Sequence, residues 1–117
     1  MKENIIKKES FDFALKIINL YKFLCNEKKE FVISKQVLRS GTAIGALVAE
    51  SEHAESKADF IHKISIAQKE ASETSYWLEL LYESKYIDKV LYNSLINDLT
   101  QIQKIIASII LSSKNNL

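Results

Sequence analysis

The chain has 117 residues, 47% of them apolar and 26% charged, with a net charge of +1. That is the balance of a globular protein and the length of one domain, 1–117, large enough for its own core. With no proline and only Gly41 and Gly45 as glycines, it lacks the turn residues a sheet protein needs every ~8–12 positions, which leaves an all-α fold.

Charge is unevenly spread. Residues 1–40 carry nine Lys/Arg against five Asp/Glu, residues 41–49 carry none, 50–83 carry three against eight, and 84–117 carry four against two. Fifteen of the sixteen bases are lysines, which serve solubility as readily as phosphate binding, so the overall balance does not decide for nucleic acid. The opening MKENIIKKESFDF has no long apolar run, and the isoleucine-rich 105–111 is far short of a membrane span. A cytoplasmic protein with no secretory leader and no membrane partner is expected.

The first helix is expected over about 10–27, with Ser10 as N-cap and Phe13, Ile17, Leu20 and Leu24 as one apolar stripe. The single cysteine, Cys25, falls in this pattern; without a disulfide partner or a Cys/His metal spacing it is expected to be a buried, inert thiol. The second helix is expected over about 34–54, capped by Ser34, with Ile33 and Leu38 forming a hydrophobic staple. Its faces combine Val37, Gly41, Ile44 and Val48 with Ala43, Leu47 and Ala54. Small residues at 41, 43, 45, 46 and 49 invite close helix approach, which compensates the ~1 kcal/mol that each glycine costs in helix propensity.

The third helix is expected over about 57–84, opened by Ser56 with Asp59 in the manner of a capping box. Phe60, Ile64, Ala67, Ala71, Thr74, Leu78 and Leu81 keep an alternating four–three rhythm along it. The fourth is expected over about 88–112, capped by Asp88, with Tyr92, Leu95, Leu99, Ile102, Ile106 and Ile109 in the same rhythm and a fraying tail SSKNNL. Short connections make consecutive helices antiparallel neighbours, so the expected fold is an up-down-up-down, left-handed four-helix bundle.

The last two helices carry more apolar positions than one core needs: Ile66, Trp77 and Leu80 on the third, Ile96, Ile105 and Ile110 on the fourth. These six are the expected oligomer interface, with copies of the same chain as partner.

Two acid-x-x-His pairs, Glu50 with His53 and Asp59 with His62, have the spacing of di-metal bundles, where a ligand pair shares a helix face. Such a site also needs inward carboxylates on the other helices, which the apolar stripes do not supply, so no metal is expected. Glu50 is read as half of an ion pair with Arg39 or a lysine. Ser40, Thr42 and Ser65 have no adjacent histidine, and there is no glycine-rich phosphate loop or nucleophile elbow. No catalytic residue, cofactor or small-molecule substrate is expected. Tyr76 and Trp77 are read as packing aromatics, and Lys28, Lys29, Lys35 and Arg39 as a candidate phosphate-facing patch, with Lys2, Lys7 and Lys8 ahead of the first helix.

Residues 10–84 resemble the four-helix-bundle family of proteins encoded in intervening sequences of ribosomal RNA genes. The match falls on Gln36, Arg39, Ser40, Ile44, Val48, Ala49, Glu50, Phe60, Ile66, Ala67, Glu73 and Leu78, and on the opening SFDFALKIINLYKF. Leu47 stands where that family commonly has Asn, Ser51 where it has Gly, and Arg39 alone where a basic pair is frequent. The resemblance implies a bundle assembling as a homopentamer. It also points to a kinship with the accessory variability determinant of diversity-generating retroelements, which uses basic surfaces to associate with nucleic acid. The resulting expectation is a non-enzymatic homo-oligomeric scaffold that binds RNA or other nucleic acid. Its alternative is a structural or protein-interaction oligomer with no nucleic-acid affinity.

Overall fold

The computed structural model describes residues 2–115, with side chains from Ile5 to Asn115. Four helices follow one another: α1 (Lys2–Asn26), α2 (Ile33–Ser51), α3 (Lys57–Glu83) and α4 (Lys89–Asn115). Each packs on its sequence neighbours and α1 closes against α4, and among the described residues the diagonal helices make no close backbone approach, in an elongated bundle of 47 × 22 × 19 Å. This is the expected up-down-up-down arrangement, and it puts connections 27–32 and 84–88 at one end and 52–56 at the other.

Most positions of the expected rhythms are buried, whereas Phe60 and Tyr92, which open the stripes of α3 and α4, are only half-buried against the core. Phe13, Ile17, Leu20 and Leu24 of α1, Val37, Ile44 and Val48 of α2, Ile64 to Leu81 of α3, and Leu95 to Ile109 of α4 form one core. Each fully buried Ile or Leu contributes about 1.5–3 kcal/mol relative to exposure. Where α1 meets α2, side chains give way to backbone: a Cβ on Gly41 would stand 2.8 Å from Ile17 Cγ1, and one on Gly45 would stand 3.3 Å from the Ser10 carbonyl oxygen.

Several ends differ from expectation. Helix α1 begins at Lys2, so Lys2, Lys7 and Lys8 lie within it, and Ser10 is no cap. Ser10 is buried, extending the stripe back toward Ile6, and its hydroxyl donates to the Lys7 carbonyl at 3.3 Å. Ser34 is likewise buried inside α2, whose N-cap residue, Val32, makes no side-chain capping bond. Glu30 does that work instead: its carboxylate accepts the backbone N–H groups of Val32 (3.2 Å), Ile33 (3.0 Å) and Ser34 (2.7 Å). Ile33 is then the first helical residue, so the staple geometry does not arise. Helix α2 also stops at Ser51, three residues short of the expected 54.

The Ser56 cap of α3 is present, its hydroxyl accepting the Asp59 N–H at 3.0 Å. Asp59 Oδ2 accepts from Glu55 N–H at 3.1 Å, one residue earlier than in a reciprocal capping box. Asp88 caps α4 by accepting the Leu91 N–H at 2.8 Å. That helix continues through Asn115 instead of fraying from 112, while residues 116–117 lie outside the described residues. Cys25 is only half-buried, with its Sγ 3.8 Å from Ser34 Oγ.

Candidate functional site

The two connections at one end of the bundle bring together lysines far apart in sequence. Lys28 and Lys29 come from 27–32, Lys35 from the first turns of α2, and Lys85 and Lys89 from the other connection and the start of α4. All five are exposed, and among the described residues none lies within ion-pair distance of a carboxylate. The connections are shaped by residues in the left-handed region, Lys29 (φ 55°) and Lys85 (φ 70°). At the second, this lets the Tyr86 N–H reach back to the Leu81 carbonyl at 2.9 Å, closing α3 in the manner of a Schellman turn.

Between these connections opens a cleft of about 650 Å³, lined by Phe23, Tyr82, Tyr86, Ile87 and Leu91 together with Lys28, Lys85, Glu83 and Asp88. Lys28 Nζ lies over the Phe23 ring, 5.7 Å from its centroid. Tyr82 is stacked on Tyr92, with centroids 4.6 Å apart and planes 15° from parallel. Burial, followed by the nearby Glu79 and Glu83 carboxylates, raises the Tyr92 hydroxyl pKa above its ordinary value. Sequence reading did not find this cleft; its one local signal is the Tyr82, Tyr86, Tyr92 series around the α3–α4 turn.

Arg39 belongs to a different environment. Its guanidinium pairs with Glu70 (3.2 Å) and with Glu73 of α3. Glu73 Oε2 also accepts the Trp77 indole N–H at 2.9 Å. That indole bond, then Arg39, holds the Glu73 carboxyl below the usual carboxylate range. The structure therefore groups Lys28, Lys29 and Lys35 but sets Arg39 apart, with its charge answered. Glu50 faces Lys63 at 3.7 Å, not Arg39. At the amino-terminal end of α1, Lys7 pairs with Glu52 (3.1 Å) and Lys8 with Asp12 (2.6 Å).

Of the acid-x-x-His residues, Glu50, His53 and Asp59 line an open cleft of about 450 Å³ with Glu55 and Lys63; His62 does not join them. Among the described residues no group of three or more His, Cys, Asp or Glu is placed to hold a metal ion.

The six apolar residues expected to form an interface are all half-buried within the chain, and Trp77, Ile96, Ile105 and Ile110 pack on the core. More exposed apolar side chains stand on α1, where Phe11 is 63% and Leu15 48% exposed. Beside Phe11 runs a shallow cleft of about 430 Å³, lined by Lys7, Lys8 and Asp12 of α1 and by Gly45 and Ala49 of α2. The Phe11, Leu15, Ile18 spacing was the available signal, hidden beside the stronger core stripe. No helix among the described residues is long and apolar enough to cross a membrane.

A family model described as 23S rRNA-intervening sequence protein matches residues 2–108. Among solved structures, the chain is similar to a protein of unknown function from the S23 ribosomal protein family of Bacteroides thetaiotaomicron VPI-5482. The two share 59% identity at a TM-score of 0.93, over 94% of this chain and 98% of that one. None of the curated proteins matches the chain.

Proposed function

The chain belongs to the 23S rRNA-intervening sequence protein family, and we propose that it is a non-enzymatic, cytoplasmic, homo-oligomeric scaffold that binds RNA through the lysine-bearing end of its bundle. The observation that carries the self-association is the exposed Phe11–Leu15 stripe beside the small-residue wall of α2. Burying such a stripe contributes about 25 cal/mol per Å² of apolar area. The pentamer implied by the family resemblance is the assembly size proposed.

The RNA reading is supported by the five exposed lysines, none of which has a carboxylate within ion-pair distance among the described residues. Repeating that end in an oligomer multiplies phosphate contacts, each adding about 0.9 to the slope of log affinity against log salt for a duplex. Sedimentation at micromolar concentration and mobility shifts with structured RNA at low salt test both parts. A monomer overturns the scaffold. An oligomer without RNA affinity leaves the structural or protein-interaction reading.

A further inference from the structure

The cleft at the lysine-bearing end has a lining that phosphate binding does not require. Holding a backbone takes cations alone, yet here Phe23, Tyr82, Tyr86 and Leu91 share the cleft with Lys28 and Lys85. We infer that this cleft takes one unstacked base of an RNA strand, with Lys28 and Lys85 meeting the flanking phosphates, so that the protein prefers RNA with unpaired nucleotides over a continuous duplex. The inference rests on the RNA reading above and names the feature of RNA that is recognised.

The chemistry of the lining selects this ligand. Lys28 lies over the Phe23 ring, so a cation and an aromatic surface stand side by side in the cleft. Tyr82 is held by its stack on Tyr92, so an aromatic wall is ordered before any ligand arrives, which lowers the entropic cost of binding. Glu83 and Asp88 also line the cleft. They oppose a phosphate inside it and suit the N–H donors on the edge of a base; Asp88 Oδ1 is already engaged by the Leu91 N–H. A flat ring bearing N–H donors, with anionic groups left outside beside lysines, describes a nucleotide of a single strand. A duplex keeps its bases in the stack and offers backbone and groove edges but no free base face.

The test is fluorescence anisotropy with the full chain and two RNAs of equal length and charge, one a stem with an unpaired loop and the other the continuous duplex. Loop RNA binds at least about ten-fold more tightly if a base enters the cleft. Tyr86→Ala removes most of that preference, and Tyr86→Phe retains it. Independently of any variant, 2-aminopurine placed in the loop loses emission on binding as it stacks on the aromatic wall. Equal affinity for both RNAs, or unchanged 2-aminopurine emission, overturns the cleft while the RNA reading stands. If neither RNA binds at low salt, the RNA reading falls and the cleft falls with it.

Discussion

Thr74 Oγ1 lies 2.8 Å from Ser40 Oγ in the interior between α3 and α2, and neither residue has any exposed surface. Thr74 Oγ1 is also 2.8 Å from the Glu70 carbonyl oxygen. With one proton per hydroxyl, the pair is satisfied when one proton serves the carbonyl and the other closes the oxygen–oxygen bond. Thr74→Val keeps the shape and strands Ser40, so it should lower stability by about 1–3 kcal/mol in urea unfolding. Adding Ser40→Ala removes the stranded group, and the double variant should lose less than the sum of the singles.

Gly41 of α2 sits directly against Ile17 of α1. A Cβ at 41 would stand 2.8 and 2.9 Å from Ile17 Cγ1 and Cγ2, atoms near the branch of a fully buried side chain, so they cannot swing aside. Gly41→Ala gains about 1 kcal/mol of helix propensity but incurs about 1–3 kcal/mol of overpacking, for a net loss. Ile17→Ala alone costs about 2–5 kcal/mol by leaving a cavity. Combined, the new methyl enters the vacated space, so thermal unfolding should show the double variant less destabilised than the two losses added.

The same residues explain how much of the fold was legible. Helix number, order and core stripes were readable because apolar positions recur at three and four along each helix, and that period survives any tertiary setting. The helix starts misled because Ser10 and Ser34 have the chemistry of caps yet occupy steps of that period, at 10-13-17 and 34-37-41, where a small side chain lets backbones approach. Glu30 carries no local cap signal, because its capping role depends on the connection folding back, which no local pattern encodes. The lysine end was half visible. Lys28, Lys29 and Lys35 are close in sequence, whereas Lys85 and the aromatic cleft join them only through the up-down-up-down topology. Arg39 looked available because its partners lie more than 30 residues away on α3.

Glu30 makes stability depend on pH in a defined direction. Desolvation by itself would raise its carboxyl pKa, but the N–H groups of Ile33, Ser34 and Val32 outweigh it and hold the pKa below the ordinary range. A depressed folded pKa means the contribution is complete above the unfolded carboxylate value and fades as pH falls through the folded one. Glu30→Ala should cost about 0.5–2 kcal/mol near neutrality, as for other lost helix caps. Urea midpoints of Glu30→Gln and wild type should differ most at pH 7 and converge in acid; a gap that widens in acid contradicts the assignment.

Phe11 separates assembly from folding. At 63% exposure, with Lys7 and Lys8 one turn earlier on the same helix, a carboxylate there is well placed in a monomer. Phe11→Glu should change monomer stability by no more than about 0.5 kcal/mol. Sedimentation should nevertheless show a shift toward smaller species, because a charge would be buried at the contact. Ile105→Ala, at a half-buried position packed on the core, should reduce the unfolding midpoint instead.

Arg39 gives the sharpest discrimination between a paired and an RNA-facing cation, because the chain's single tryptophan reports on its partner. Trp77 donates to the same Glu73 oxygen that faces the Arg39 guanidinium, so Trp77 emission follows Glu73 protonation. Arg39→Gln removes the second of the two groups that depress the Glu73 pKa. The acid midpoint of Trp77 emission should therefore move up toward the ordinary carboxylate range. Stability should change by no more than about 1 kcal/mol, since the pair is half in solvent. RNA affinity and its salt slope should remain those of wild type, whereas Lys28→Gln should lower the slope by about 0.9 for each phosphate contact removed. A salt slope that falls in Arg39→Gln while the Trp77 midpoint stays put would return Arg39 to the RNA-facing set.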